Sequence, residues 1–406
     1  VKDKFDVIII GSGPAGSACA LSLAGSGLDI ALVDKAIFPR DKVCGDALSA
    51  DVAAQLPLLS EHLMTAFAAD GRKIPSYGVR LYAPDLTRVD IPFRGEGKVT
   101  DGHVFPRKDF DDLLLREVKA QGICDVFEGC TVTQVSEVAH GVDVATDKGR
   151  LAAQMVVGAD GANSVVARLA GNGSVDRRHH SAGLRVYYDN VKGFHEGNHI
   201  ELYFFRNILP GYLWVFPLPG GRANVGIGLL SSVVSKRKIN LRGELKELLA
   251  THPCLKDRFA MARPLETGKG HALPLGSRKR HLSGNRFLLA GDAAGLIDPF
   301  TGEGIGNAIR SGRVAALHLV QSFRAEDFSA EFNRAYDIEI YRRMGKELRL
   351  GYALQRLCKY PWLFNYVIRK ASRSRYWHGF LTSALADVSI KMQFTDPAFY
   401  YRLLVK

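Results

Sequence analysis

Asp6-Val7-Ile8-Ile9-Ile10-Gly11-Ser12-Gly13-Pro14-Ala15-Gly16 decides the fold of this chain. The β-branched run bounded by glycine reads as a buried parallel strand, and the Ala-, Ser- and Leu-rich stretch from Pro14 to Ala24 reads as a helix. A second apolar run, Ile30 to Val33, ends on Asp34. Strand, helix and strand within about thirty residues make a βαβ unit. Its turn is G-x-G-x-x-G. Gly11 allows the tight turn, Gly13 lets a pyrophosphate approach the backbone, and Gly16 lets helix and strand pack closely. The helix then begins at Pro14, which has no N–H to leave unpaired, and from Ala15 onward turns free N–H groups and a positive dipole end toward the phosphates. Asp34 stands where it can accept from ribose hydroxyls. This is a dinucleotide-binding unit, and alone it does not separate one dinucleotide from another.

Two later segments repeat the pattern of an apolar strand ending in Gly and Asp: Gly158-Ala159-Asp160-Gly161-Ala162-Asn163-Ser164 and Gly291-Asp292-Ala293-Ala294-Gly295. An acid after a buried strand can orient a ligand or simply cap the next element. Three such sites in order along one chain are a stronger signal than any one of them. GSGPAG, GADGANS and GDAAGLIDPFTGEGIGNAI together resemble the three fingerprints of the FAD-dependent para-hydroxybenzoate hydroxylase-like superfamily, over most of the chain to about residue 320. The resemblance implies that Asp34, followed by Lys35, binds the adenosine ribose, although that superfamily more often has Glu there. It places Asp160 and Gly161 near the flavin end and has Gly291 and Asp292 hold the ribityl or pyrophosphate region. Gly302, Gly304 and Ile305 would pass beside the isoalloxazine ring. It also makes Arg107, at the start of a helix in FPRKDFDDLLL, a cofactor contact.

Two segments narrow the likeness. Phe38-Pro39-Arg40-Asp41-Lys42-Val43-Cys44-Gly45 resembles the P-R-x-K-x-C-G stretch of the geranylgeranyl reductase family, which brings Arg40, Cys44 and Gly45 to the cofactor. Gly211-Tyr212-Leu213-Trp214-Val215-Phe216-Pro217 is similar to that family's Y-x-W-x-F-P motif, with Asn224-Val225-Gly226-Ile227-Gly228 after it. The family reduces isolated double bonds of prenyl chains, by hydride from reduced FAD and a proton from the protein or water. Strand alternation puts Tyr212, Trp214 and Phe216 on one face, where a row of rings can line an apolar tunnel or simply fill a sheet. The catalytic candidates are Cys44, Tyr212 and Trp214, with Cys44, Tyr212 or an ordered water as proton donor. Arg40 and Lys42 would lower the Cys44 pKa if they point inward. A buried free cysteine is otherwise a small hydrophobe.

Length and patterning supply the frame. At roughly 150 residues per domain, 406 residues make two or three domains. The expected class is α/β: a discontinuous Rossmann-type FAD-binding domain (1–75, 104–180 and 266–325), an inserted antiparallel β-sheet substrate domain (76–103 and 181–265) and a helical C-terminal part (326–406). No internal repeat occurs. The six cysteines form no C-x-x-C pair and lack a His cluster, which argues against zinc, iron–sulfur or a disulfide framework. No run of about eighteen apolar residues is present. The strand that begins within five residues of the start leaves no room for a signal peptide, so the expected location is cytoplasmic.

Net charge is +12, and Tyr341 to Tyr376 carries ten Lys/Arg against one acid, Glu347. Trp362, Phe364, Tyr366, Tyr376 and Trp377 are interleaved with the charges. Such a segment is either a solvated helical face or a contact with the anionic inner surface of a membrane, expected here over 341–377. No nucleic-acid-binding motif accompanies it. No second G-x-G-x-x-G unit is present, so electrons come from transiently bound NAD(P)H or a reduced carrier protein. The rival readings are an aromatic hydroxylase, a flavin halogenase, whose family shows W-x-W-x-I-P where this chain has Tyr212, and a non-enzymatic lipid-binding flavoprotein.

Overall fold

The computed structural model describes residues 2–374, apart from 96, 97, 100 and 172–175, together with Trp377. The 378–406 part of the expected C-terminal region, and Tyr376, lie outside the described residues. The apolar run at the start forms the strand Lys4–Ile10, and the glycine-rich turn leads into the helix Pro14–Ser22. This strand is central to a parallel set. It pairs with Ile30–Val33 on one side and Gly149–Gly158 on the other. Asp125–Phe127 extends one edge, and Phe287–Leu289 pairs parallel with Gly149–Gly158. Val132–Val138 and Gly141–Thr146 form an antiparallel meander leading into Gly149–Gly158. The βαβ reading and the α/β class hold.

Two helices close this sheet. Pro14–Ser22 packs against the long helix Ile305–Ala325 at glycine contacts: a Cβ on Gly312 would stand 2.1 Å from the Ala15 carbonyl oxygen. A Cβ on Gly16 would stand 1.8 Å from the Gly11 carbonyl oxygen, so only glycine permits helix and turn to meet there. The apolar residues of strands and helices form one continuous core from Phe5 to Leu348.

Among the described residues the second sheet has eight strands, ordered Arg263–Pro264, His180–Asp189, Arg222–Leu230, Tyr212–Leu218, Ile200–Tyr203, Gly78–Tyr82 and Arg88–Pro92, with Lys269–Pro274 also on His180–Asp189. It is antiparallel except where Ile200–Tyr203 runs parallel to Gly78–Tyr82. Lys269–Pro274 belongs to this sheet, so the chain returns to the nucleotide sheet only after Pro274, later than the sequence boundary at 266. The helices Ala330–Leu357 and Pro361–Arg373 finish the described chain. The second one lays Phe364 and Ile368 against the core of the second sheet.

Gly312→Ala tests the helix contact. The new methyl meets backbone rather than a movable side chain, so the helices must part. We expect a loss of about 1–3 kcal/mol in urea denaturation, with weaker cofactor binding because Ala15 borders the cavity described next.

Candidate functional site

The carboxyl ends of the parallel strands open into one cavity of about 730 Å³ that continues beneath the second sheet. It is lined by every residue singled out from the sequence as cofactor-binding or catalytic except Gly16, which sits behind the turn. At one end, Gly13 precedes a helix whose first turn has no side-chain cap, which leaves its N–H groups to a ligand. A Cβ on Gly13 would meet only the Arg40 guanidinium, at 3.5 Å. Asp34 uses one oxygen to accept from the Ser12 N–H at 2.7 Å and the other to accept from the Ala36 N–H at 2.9 Å. The acid therefore shapes the glycine-rich turn as well as facing the cavity.

Next along the cavity lies a buried ionic triad. Asp111, fully buried, holds Arg107 at 2.6 Å and Arg40 at 2.7 Å. Burial works against its ionisation, but the Arg107 and Arg40 guanidiniums outweigh it and hold the carboxyl below its ordinary range. Two cations on one anion leave the cluster net positive beside the pyrophosphate approach. Lys42 bridges in the same way: its ammonium donates to His271 Nε2 at 2.9 Å and lies 3.6 Å from Asp292. Burial and the Lys42 charge push His271 down to about 4, so it is a neutral acceptor with its proton on Nδ1. Burial raises the Asp160 carboxyl against its bonds to Ser164 and the Val165 N–H. Asp160 Oδ1 is buried without a hydrogen-bond partner among the described residues.

The far end is apolar. Tyr212, Trp214 and Phe216 follow one another along one face, with ring centroids 6.3 Å apart at each step, and Val79, Ile200 and Leu202 border the same space. The polar atoms of Tyr212 and Trp214 are already bonded to protein groups. The Tyr212 hydroxyl donates to the Thr301 carbonyl, and Trp214 Nε1 donates to Asn224 Oδ1 at 2.8 Å. Burial, then the nearby Asp298, Cys44 and Glu303, drives the Tyr212 phenol well above its usual range. Cys44 is a free, half-buried thiol at the meeting of the two halves. Its neighbour Gly45 lies so close under the aromatic wall that a Cβ there would stand 2.7 Å from the Phe216 ring.

Sequence reasoning did not single out Asp46, Asp111, His271 or Glu303. Asp46 is fully buried, and Glu303 holds the Ser49 hydroxyl on the cavity wall. Asp111 follows Arg107 by four residues on one helix, a spacing visible in the sequence. The others meet their partners across the fold and leave no local pattern.

An uncapped helix end, a glycine that opens the phosphate approach, a carboxylate at the end of the second strand and an orphaned buried oxygen fit an FAD. They define a Rossmann-type flavoprotein with an apolar extension of its cofactor site. Comparison with known proteins agrees. Residues 4–327 match the FAD binding domain family. The chain is 31% identical over 371 residues to a menaquinone reductase of Mycolicibacterium smegmatis, covering 87% of each. It is 32% identical over 368 residues to a digeranylgeranylglycerophospholipid reductase of Methanocella arvoryzae, again 87% of each. In structure it is similar to a geranylgeranyl bacteriochlorophyll reductase-like protein of Thermoplasma acidophilum, with TM-score 0.79, 23% identity and coverage of 97% and 96% of the two chains. The flavin-dependent halogenase CmlS shares the fold at TM-score 0.70 and 22% identity, covering 93% of this chain and 67% of its own. The chain belongs to the geranylgeranyl reductase family of FAD-dependent oxidoreductases.

Asp34→Ala removes the acceptor for two backbone N–H groups and a contact expected for the adenosine ribose. Bonds to a charged group contribute about 1.5–3 kcal/mol each, so FAD affinity should fall at least tenfold, read by titrating apoprotein with FAD and following flavin fluorescence.

Proposed function

We propose that the protein saturates isolated C=C bonds of a prenyl chain held against the Tyr212–Trp214–Phe216 wall. The observation that carries this reading is the continuity of an apolar wall, its polar atoms already bonded to protein groups, with the cofactor end of the same cavity. A substrate with little to hydrogen-bond suits such a surface. Its relatives bear names of reductases of prenylated lipids, a menaquinone and a digeranylgeranylglycerophospholipid. FAD, once reduced, supplies hydride.

The chain's own residues do the rest. The wall orients the alkene and excludes water. The Tyr212 hydroxyl is committed to the Thr301 carbonyl and resists ionisation, so its part is to fix the 301–304 turn beside the cofactor. That leaves the Cys44 thiol, or a water it holds, to deliver the proton to the second alkene carbon. Electrons come from NAD(P)H or a reduced carrier protein that docks transiently. Cys44→Ser should slow single-turnover prenyl reduction at least tenfold while leaving FAD content unchanged. An unchanged rate removes the thiol from the chemistry.

We also propose that the C-terminal helices rest on an anionic membrane surface. Trp362 is 70% exposed, and Tyr360 and Tyr366 stand out beside it, near Lys359, Lys370 and Arg373. Phe364 and Trp377, which the sequence groups with these aromatics, are instead buried in the core of the second sheet. Among the described residues no helix is long and apolar enough to cross a membrane. The protein should sediment with phosphatidylserine-containing vesicles at low salt. It should be released toward ~1 M salt, where the screening length falls to ~3 Å, and Trp362→Ala should weaken the binding. No sedimentation at low salt overturns this contact.

A further inference from the structure

Asp46 follows the Cys44–Gly45 pair and has no solvent exposure. Its backbone φ is +67°, in the left-handed region that Asn and Asp tolerate better than most residues. Its side chain accepts from three elements. The Tyr187 hydroxyl donates at 2.6 Å, Asn224 Nδ2 at 2.7 Å, and the Arg107 backbone N–H at 3.1 Å. Its carbonyl accepts the Phe105 N–H at 2.9 Å.

Asn224 is the junction. It is fully buried, and its Nδ2 donates both to Asp46 and to the Cys44 carbonyl, the latter at 2.7 Å. Its Oδ1 accepts the Trp214 indole N–H. A carboxylate can only accept, so Asp46 obliges the amide nitrogen to face it and leaves the amide oxygen for the indole. A flipped amide would set oxygen against the Cys44 carbonyl and N–H₂ against the indole N–H. The carboxylate, the Cys44 carbonyl and the indole N–H thus all require one amide orientation, and the buried carboxylate anchors the amide that holds the thiol loop and the aromatic wall together.

We propose that Asp46 is a positioning residue for the reductase site, fixing the Asn224 amide and, through it, the Cys44 loop and the Trp214 ring. The role rests on the prenyl-reduction reading only in that these groups border the reacting bond. The fixing of Cys44 and Trp214 is testable without substrate. Burial pushes the Asp46 carboxyl up to about 6, against the bonds from Tyr187, Asn224 and the Arg107 N–H and the nearby Arg185 charge, all of which favour the anion. The acceptor-only form is therefore present above about pH 6 and lost below it.

Asp46→Gly removes the carboxylate while suiting the backbone angle, and Asn224→Ala removes the junction. In the FAD-loaded protein, alkylation of Cys44 by iodoacetamide, read peptide by peptide in a mass spectrometer, should accelerate roughly tenfold in either variant, the loss of one or two buried hydrogen bonds. The double variant should be no faster than the faster single one, because Asp46 acts through Asn224. Prenyl reduction should lose kcat roughly tenfold with KM little changed, and the wild-type limb near pH 6 in kcat/KM should vanish in Asp46→Gly. Additive effects on alkylation, or an alkylation rate unmoved by Asp46→Gly, overturn the proposal. A wild type without prenyl reductase activity overturns the functional reading alone, since alkylation still reports on Asp46. Asp46→Asn, which accepts the same backbone angle but must turn its N–H₂ toward one of the donors that the carboxylate satisfies, carries the cycle with a smaller acceleration if the glycine variant does not fold.

Discussion

Parallel strands in register must end together, and the rest of this site depends on that. Ile10 pairs opposite Gly158, and Gly158 opposite Leu289. The turns that follow, at Gly11, Asp160 and Asp292, are therefore neighbours although the sequence spreads them over most of the chain. The hydrogen bonds Ala159 N–H to the Ile10 carbonyl and Ala290 N–H to the Gly158 carbonyl carry the alignment one residue past the strands. A one-residue slip in any strand would move its acid off the shared edge and reverse its side-chain faces. The buried runs VIII, MVV and FLL forbid such a slip by their packing.

The segment 38–46 joins this edge to the second sheet, and it is held by charge and hydrogen bonds more than by apolar contact. Asp41 meets Arg185, a fully buried guanidinium that also pairs with Glu266 and lies 4.0 Å over the Tyr187 ring. Lys42 meets His271, and Arg40 meets Asp111. Buried ion pairs add little net stability compared with apolar packing, because desolvation offsets their attraction. What they add is a single allowed arrangement, since a slipped loop would leave charges buried and unpaired. The loop that carries Cys44 is thereby fixed at once to the second sheet and to the helix Arg107–Gln121 that packs with the nucleotide sheet.

The sequence announced the nucleotide half clearly. Strand runs, glycine spacing and terminal acids are local signals, and each appears in the fold at the expected place. The aromatic wall was legible from alternation, since Tyr212, Trp214 and Phe216 are two residues apart. What stayed hidden depends on distant partners: Asp46 with Asn224, Lys42 with His271, Asp41 with Arg185. No periodicity marks a side chain whose partner lies well over a hundred residues away. The strand Lys269–Pro274 was missed for a related reason. Half of it is exposed and it carries no long apolar run, and it takes its place by pairing with His180–Arg185. Phe364 and Trp377 looked like surface aromatics beside lysine and arginine, yet helix geometry turns Phe364 toward the second sheet and leaves Trp362 outside.

The apolar character of the wall is itself an outcome of the polar network behind it. Tyrosine and tryptophan carry donors that, unbonded, would make a hydrocarbon surface costly. Here the Thr301 carbonyl takes one and Asn224 takes the other. Asn224 can do so only because Asp46 and the Cys44 carbonyl take its own two protons. The chain of donors and acceptors runs from the wall to the thiol loop and ends on a carboxylate that needs no further partner. An aromatic face free of dangling donors is a surface on which an isoprenoid chain loses nothing by leaving a lipid phase. The same chain of bonds holds that face beside the 301–304 turn, so one set of contacts both keeps the wall apolar and fixes its position.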